Sequence, residues 1–322
     1  MTAPTAPIVL PVVAPARPRP TGLILAVASA LAFSSSGPLV KPLLEAGWSL
    51  SAALVVRMGI AGLVLAPALV KAIRRDPRFL IRHAGIIVVF GLTAVLGCQL
   101  LFFSAMQRMP VAVALLIQYL APVMIVVWVW ARTRLRPSRL VIGGSVLAIV
   151  GLVLVVDLAG ARFDLLGTLF ALGAAVCAAA YFVISERAGD DLPPLALAAG
   201  GLLVGALAMI LLAVTGVMPF HAPPVSVEIA GVTLPWYIPL LWVATASTAL
   251  GYAFGVMAVP RVGSRLASFI GLSEVLFALG FAWLLLGETP APIQFVGGGL
   301  LLAGVIAVKL DADAGRIPTA AR

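Results

Sequence analysis

The sequence predicts an all-α membrane protein of ten transmembrane helices, arranged as two inverted five-helix repeats with both termini cytoplasmic. Three observations carry that expectation. First, 62% of the 322 residues are hydrophobic and only 10% are charged, with a mean hydropathy of +1.17. A soluble domain carries roughly 25% charged residues because its surface faces water. Charge this sparse cannot coat a globule, so the lipid bilayer is the solvent for most of the surface. Second, the apolar residues fall into ten runs, each long enough to cross a membrane. Third, Lys and Arg alternate between the intervening loops in a strict inside-outside pattern.

A helix needs about 20 apolar residues to cross about 30 Å of hydrocarbon. The ten segments are 22–42, 50–70, 84–106, 110–131, 139–158, 166–185, 194–216, 236–258, 264–286 and 291–309. Residues 1–21 are rich in Pro and Ala and read as a disordered cytoplasmic tail. The apolar run after Thr21 is too long for the core of a signal peptide. Segments three and four are divided only by a turn at Gln107-Arg108-Met109, after which Pro110 can open the next helix. The first repeat then spans 22–158, the second spans 166–309, and 310–322 forms a cytoplasmic tail.

Orientation follows from the loops. With the N-terminus cytoplasmic, 17 Lys and Arg fall inside and only Lys41, Arg108 and Arg162 fall outside. Arg57 lies within a span. The loop after segment six is the exception, because Glu186, Asp190 and Asp191 outnumber Arg187 there. Acidic residues count little in this rule. The chain also repeats: a shift of 153 residues carries Ala105 onto Ala258, Gly144 onto Gly297 and Gly151 onto Gly304. Five spans per half is an odd number, so the second half must lie upside down relative to the first.

The inventory excludes several classes. A net charge of +9 and a pI near 10.5 would suggest nucleic acid in a soluble protein. Here the basic residues sit in short clusters between apolar runs, so topology explains them and no nucleic-acid partner is expected. Cys98 and Cys177 lie inside apolar runs without CxxC or zinc spacing, and read as small hydrophobes. His83 and His221 fall in predicted loops. No metal site, cofactor site or catalytic triad can be assembled, so an enzyme is not expected.

An ionisable residue inside a span costs roughly 2.5–3.5 kcal/mol at the helix centre on insertion scales. Glu274 is the sharpest case, placed near mid-membrane between Arg265 and Glu288. It can serve as contact for a cationic group or as a proton carrier, or it can bond a neighbouring helix. Arg57 lies two turns into segment two and cannot lose its charge. It can attract a carboxylate or bond helix ends. Lys41, beside Pro42 at the end of segment one, reads as an interfacial anchor. The run Ser34-Ser35-Ser36-Gly37-Pro38 weakens segment one and fits a broken helix lining a cavity, or ordinary Ser-to-backbone bonding. Gln99 in segment three and Gln118-Tyr119 in segment four lie at depth, as do Tyr181 and Tyr252 in segments six and eight. Each either faces a central cavity or packs. Trp48 and Trp236 sit at predicted ends and read as membrane-interface residues. Gly201-x3-Gly205 reads as close helix packing.

Leu272-Ser273-Glu274-Val275-Leu276, then Leu284-Leu285-Leu286-Gly287-Glu288, then Gln294, Gly297 and Gly304 resemble the end of an EamA-type half, in the drug/metabolite transporter superfamily. Arg57 matches that family's second-helix Arg, and Ala105, Pro110, Pro122, Gly144 and Gly151 match the stretch that follows. Two departures stand out. Val275 replaces the expected Pro after Glu274, and Thr133-Arg134-Leu135 replaces the first half's Leu-Gly-Glu. The resemblance covers nearly all of 22–309. It implies ten helices, cytoplasmic ends and movement of small metabolites, often export of amino acids. Ser247–Leu250 and Gly287–Pro290 are similar to amino-acid exporters. Inverted repeats recur in secondary carriers, with the substrate site between the halves near the midplane. The expectation is therefore a small-molecule substrate, held by Glu274, Ser34, Ser35, Ser36, Gln99, Gln118, Tyr119, Tyr181, Tyr252 and Arg57. Protons are the candidate coupling ion. Drugs, sugars and nucleosides stand as alternative cargo, and oligomeric state is not readable from the chain.

Overall fold

The computed structural model describes residues 20–106, 108, 114, 117–134, 136–156, 164–189, 191–287 and 291–314. The two expected tails and Glu288 lie outside or largely outside these residues. The fold is helical almost throughout. Helix α1 covers Pro20–Ser34, α2 Ser36–Glu45 and α3 Leu50–Arg75. Next come α4 (Phe79–Val89), a π-helical segment (Phe90–Gly97) and α5 (Cys98–Met106), which run on as one rod. Helix α6 is Ala121–Thr133, α7 Arg139–Val156, α8 Leu165–Glu186 and α9 Pro194–Val214. A hairpin follows, β1 (Ser226–Ile229) and β2 (Val232–Pro235). The rod α10 (Tyr237–Trp242), a second π-helical segment (Val243–Leu250) and α11 (Gly251–Val262) lead to α12 (Ser264–Gly271), α13 (Ser273–Leu286) and α14 (Pro292–Ala314).

Among the described residues, eight helical stretches are long and apolar enough to cross a membrane, and α6 and α7 are shorter apolar helices. These two stand where segments four and five were expected, and most of 107–116 lies outside the described residues.

Segment one breaks where the serines predicted it. Ser34 Oγ donates to Leu31 O at 2.6 Å and Ser35 Oγ to Ala32 O at 2.8 Å. Such bonds compete with the helical ladder, and a new helix begins at Ser36. The membrane-spanning stretch then continues past the expected end at 42 to Glu45, with Pro42 inside α2. Residue His83, expected in a loop, lies in α4 and stacks on Phe79 at 4.9 Å.

Glycine lets backbones touch at the centre of the bundle. Helices α7 and α14 pack together through the two Gly-x6-Gly patterns. A Cβ on Gly144 would lie 2.8 Å from Gly304 O, and one on Gly151 would run into Gly297 O and the Leu301 backbone. Gly201 and Gly205 bring α9 onto Phe90, Val95 and Met58, as close packing requires. Four principal helix pairings organise the bundle: α7 with α14, α3 with α9, α1 with α11, and α5 with α8. Each joins a helix before residue 157 to one after residue 164.

The hairpin covers one end. Val227 and Ile229 are buried against Leu39, Val40 and Leu43 of α2. Trp48, expected at the lipid interface, is only 4% exposed. Its indole Nε1 donates to Pro223 O at 2.9 Å and its ring lies 5.2 Å from that of Trp236. The loop that precedes the hairpin supplies both the acceptor and the cover, which a span-by-span reading treats as solvent.

Candidate functional site

Where α1 breaks, the bundle encloses a cavity of about 870 Å³. Its walls come from α1, α2, α3, α5, the turn at 117–122, α8, α11, α12 and α13. Most of the lining is apolar, with a small set of polar groups on it, as ligand cavities generally are.

Arg57 projects from α3 and is 8% exposed. Its Nε donates to Thr248 Oγ1 at 3.1 Å. Thr248 belongs to the second π-helical segment and is fully buried. The wider π turn sets aside one residue of the ordinary ladder, and such turns recur at functional positions. Glu274 lies in the first turn of α13, and the Tyr119 hydroxyl donates to its carboxylate. Arg57 and Glu274 attract each other across the cavity they both line. Two opposite charges thus share one largely apolar chamber, where each is costly alone and each lowers the other's cost.

Tyrosine rings bridge the two charges. Tyr252 is 6% exposed, donates to Ala94 O at 3.4 Å, and accepts from the Gln99 amide. Its ring meets Phe33 at 5.1 Å and Tyr181 at 5.8 Å, both edge-on. Ala94 sits in the first π-helical segment, so both π segments present groups to the site. A Cβ on Gly255 would strike the Tyr181 hydroxyl and sit 2.9 Å from Ser29 Oγ, so only glycine lets Tyr181 lie flat against α11. Gln99 Nε2 donates to Val95 O at 3.0 Å, and Gln118 Nε2 to Cys98 Sγ at 3.5 Å.

Nine of the ten expected residues line this cavity: Ser34, Ser36, Arg57, Gln99, Gln118, Tyr119, Tyr181, Tyr252 and Glu274. Ser35 is turned away. It is 3% exposed and its Oγ accepts from Trp242 Nε1 at 3.3 Å, so it shapes the break instead of facing the cavity. Ser29, Phe33, Lys41, Glu45, Cys98 and Gln294 also line the cavity and were not anticipated there. Ser29 had a readable signal, because Ser29, Phe33 and Ser36 fall at helical spacing on one face. Lys41 had none, since the prolongation of the helix past Pro42 brings it inward from the expected interface. Among the described residues, no group of His, Cys, Asp and Glu is arranged to hold a metal ion.

An all-helical bundle with membrane-crossing rods around a polar-studded chamber defines a polytopic membrane protein that handles a small molecule. The chain belongs to the EamA-like transporter family, whose model matches residues 20–157 and again 165–310. It is 30% identical over 213 residues to the threonine/homoserine exporter RhtA of Escherichia coli (strain K12), covering 64% of this chain. The chain spans 65% of that relative, just under two thirds of its length. It is also 26% identical over 283 residues to a probable terminal-alkyne amino-acid exporter of Streptantibioticus cattleyicolor, covering 88% of this chain and 91% of that one. One solved crystal structure superposes with a TM-score of 0.70 at 21% identity, over 92% of this chain and 96% of the other, which shows the fold. Family and spans together make this a multi-pass protein of the cytoplasmic membrane.

Proposed function

We propose that the protein is a secondary carrier that exports amino acids or similar zwitterions by alternating access. The observation that carries this reading is the pairing of Arg57 with Glu274 on one largely apolar cavity. A zwitterion meets such a chamber with its carboxylate toward Arg57 and its ammonium toward Glu274 and Tyr119. Ser34, Ser36, Gln99, Gln118, Tyr181 and Tyr252 supply the remaining polar contacts, and Ser35 fixes the break that opens the wall. The two relatives named as amino-acid exporters support the same cargo.

The carrier is read as ten helices in two inverted halves, both ends cytoplasmic, rocking about the cavity. Three features support it: the two family matches, the helix pairs that all cross between the halves, and the π segments. Phe90–Gly97 and Val243–Leu250 correspond at the same 153-residue shift that relates the glycines. Glu274 is positioned to release its proton to one side when substrate leaves, which would couple export to protons.

Efflux from preloaded proteoliposomes tests the reading, run across amino acids at two internal pH values with wild type and Glu274→Gln. Release of an amino acid by wild type and its loss in the variant are expected. Release of drugs, sugars or nucleosides in place of every amino acid would overturn the cargo. Full flux and full pH dependence in Glu274→Gln would remove the proton role.

A further inference from the structure

The cavity holds more open acceptors than a simple zwitterion needs. The Gln99 amide is oriented by Val95 O, which can only accept, so Nε2 faces it and Oε1 faces the other way. Gln118 is oriented by a relay. Cys98 donates to Ala174 O at 3.7 Å, so its sulfur is left to accept from Gln118 Nε2. In both residues Oε1 is enclosed and has no hydrogen-bond partner. Both residues line the cavity, and Gln118 is bonded to the residue that precedes Gln99. A buried carbonyl oxygen left unmet costs about 1–3 kcal/mol. Two such oxygens on one wall point to a ligand that brings its own donors there.

Resting on the zwitterion reading, we infer that Gln99 and Gln118 are a specificity pair, and select amino acids with a hydroxyl or other hydrogen-bond donor on the side chain over apolar ones of equal size. Arg57 takes up the substrate carboxylate, and Glu274 with Tyr119 takes up the ammonium. The side chain is the part left to meet the two amide oxygens. A site that bonds a substrate hydroxyl discriminates strongly against the analogue lacking it, because its own polar groups are then stranded. Threonine and valine are the informative probes, since they differ by one hydroxyl in place of a methyl. One or two neutral hydrogen bonds correspond to a preference of about 10-fold to 100-fold. Cys98 acts here as a positioning residue, since its thiol fixes the face that Gln118 presents.

The test is release of an equimolar threonine and valine mixture from the same proteoliposomes, so that the ratio does not depend on how much protein is folded. Wild type is expected to favour threonine at least about 10-fold. Gln99→Met and Gln118→Met keep side-chain length while removing the acceptor, and each should lower the ratio, with the double variant approaching one. Cys98→Ala should lower it partway, whereas a purely structural role would slow both substrates and leave the ratio unchanged. Equal release of threonine and valine by wild type overturns the specificity pair while the zwitterion reading stands. A threonine preference that persists in both single variants overturns the assignment to these residues. Release of neither amino acid by wild type overturns both readings. If the double variant does not fold, the single variants give the same ratio and decide the matter.

Discussion

Replacing Gly151 by Ala asks how tightly the two glycine-lined helices are pressed together. At this position an added Cβ meets the Leu301 backbone and Gly297 O, with Leu301 Cα at 2.9 Å. These are backbone atoms and cannot rotate aside, so α7 and α14 must separate along the contact. Overpacking of this kind typically costs about 1–3 kcal/mol, and a backbone obstacle belongs at the upper end. Alanine also repays roughly 0.5–1 kcal/mol of helix propensity. The net expectation is a loss of about 2 kcal/mol. Gly143, one residue earlier on the same helix, is the matched control, because nothing lies within 4 Å of its added Cβ. Gly143→Ala should gain the propensity term alone, roughly 0.5–1 kcal/mol. Thermal unfolding of both variants in detergent, followed by intrinsic fluorescence, reads the contrast as midpoints moving in opposite directions. Equal shifts of the same sign would show that the glycine contact does not hold these helices, and the reasoning would fail.

Arg57→Lys keeps the charge but loses the fork that reaches Thr248 Oγ1, so zwitterion efflux should fall about 10-fold or more, measured in proteoliposomes. Gly255→Ala should displace the Tyr181 hydroxyl and reduce flux, with an unfolding cost of about 1–3 kcal/mol read by thermal melting. Ala230 occupies the hairpin turn at φ 53°, beside Gly231 at φ 75°, so Ala230→Gly should relieve left-handed strain and raise stability by up to about 1 kcal/mol in the same melt. The Asp76 carboxyl, in the cytoplasmic loop after α3, is held below its ordinary range first by the Arg78 backbone amide, then by the Arg82 guanidinium. Its contribution is in place above the ordinary carboxylate pKa and is lost as pH falls through the depressed one. Asp76→Asn should therefore flatten acid sensitivity of that loop, followed by hydrogen exchange of the Arg78 amide.

The spans were legible because burial in lipid demands long apolar runs, and that signal needs no partner helix to read. Glu274, Arg57, the glutamines and the tyrosines were legible for the complementary reason: a polar side chain at depth must find polar company, and the cavity is where it gathers. The break at Ser35 followed from local competition between hydroxyls and backbone. Which serine turns inward did not, because the orientation of Ser35 is set by Trp242, 207 residues away. Trp48 was misread for a similar reason, since the hairpin that buries it is a tertiary cover invisible to hydropathy. The two π segments also escaped, as a change from 3.6 residues per turn leaves no mark on an unbroken apolar run. Lys41 and Cys98 needed the assembled walls before their place could be known.

Because every principal helix pairing reaches across the middle of the chain, neither 20–157 nor 165–310 owns a core. Strands of a rope separate only together, and the same holds for this bundle. While the first spans are already in the bilayer and the last are still being made, Gly144, Gly151 and Arg57 face lipid without their partners. Newly made protein must pass through an interval of exposed grooves and an unmatched charge, and its survival in the cell depends on how quickly synthesis ends that interval. Loss of any one late helix would expose several early ones at once, so damage near the C-terminus reads out across the whole molecule as a single cooperative failure.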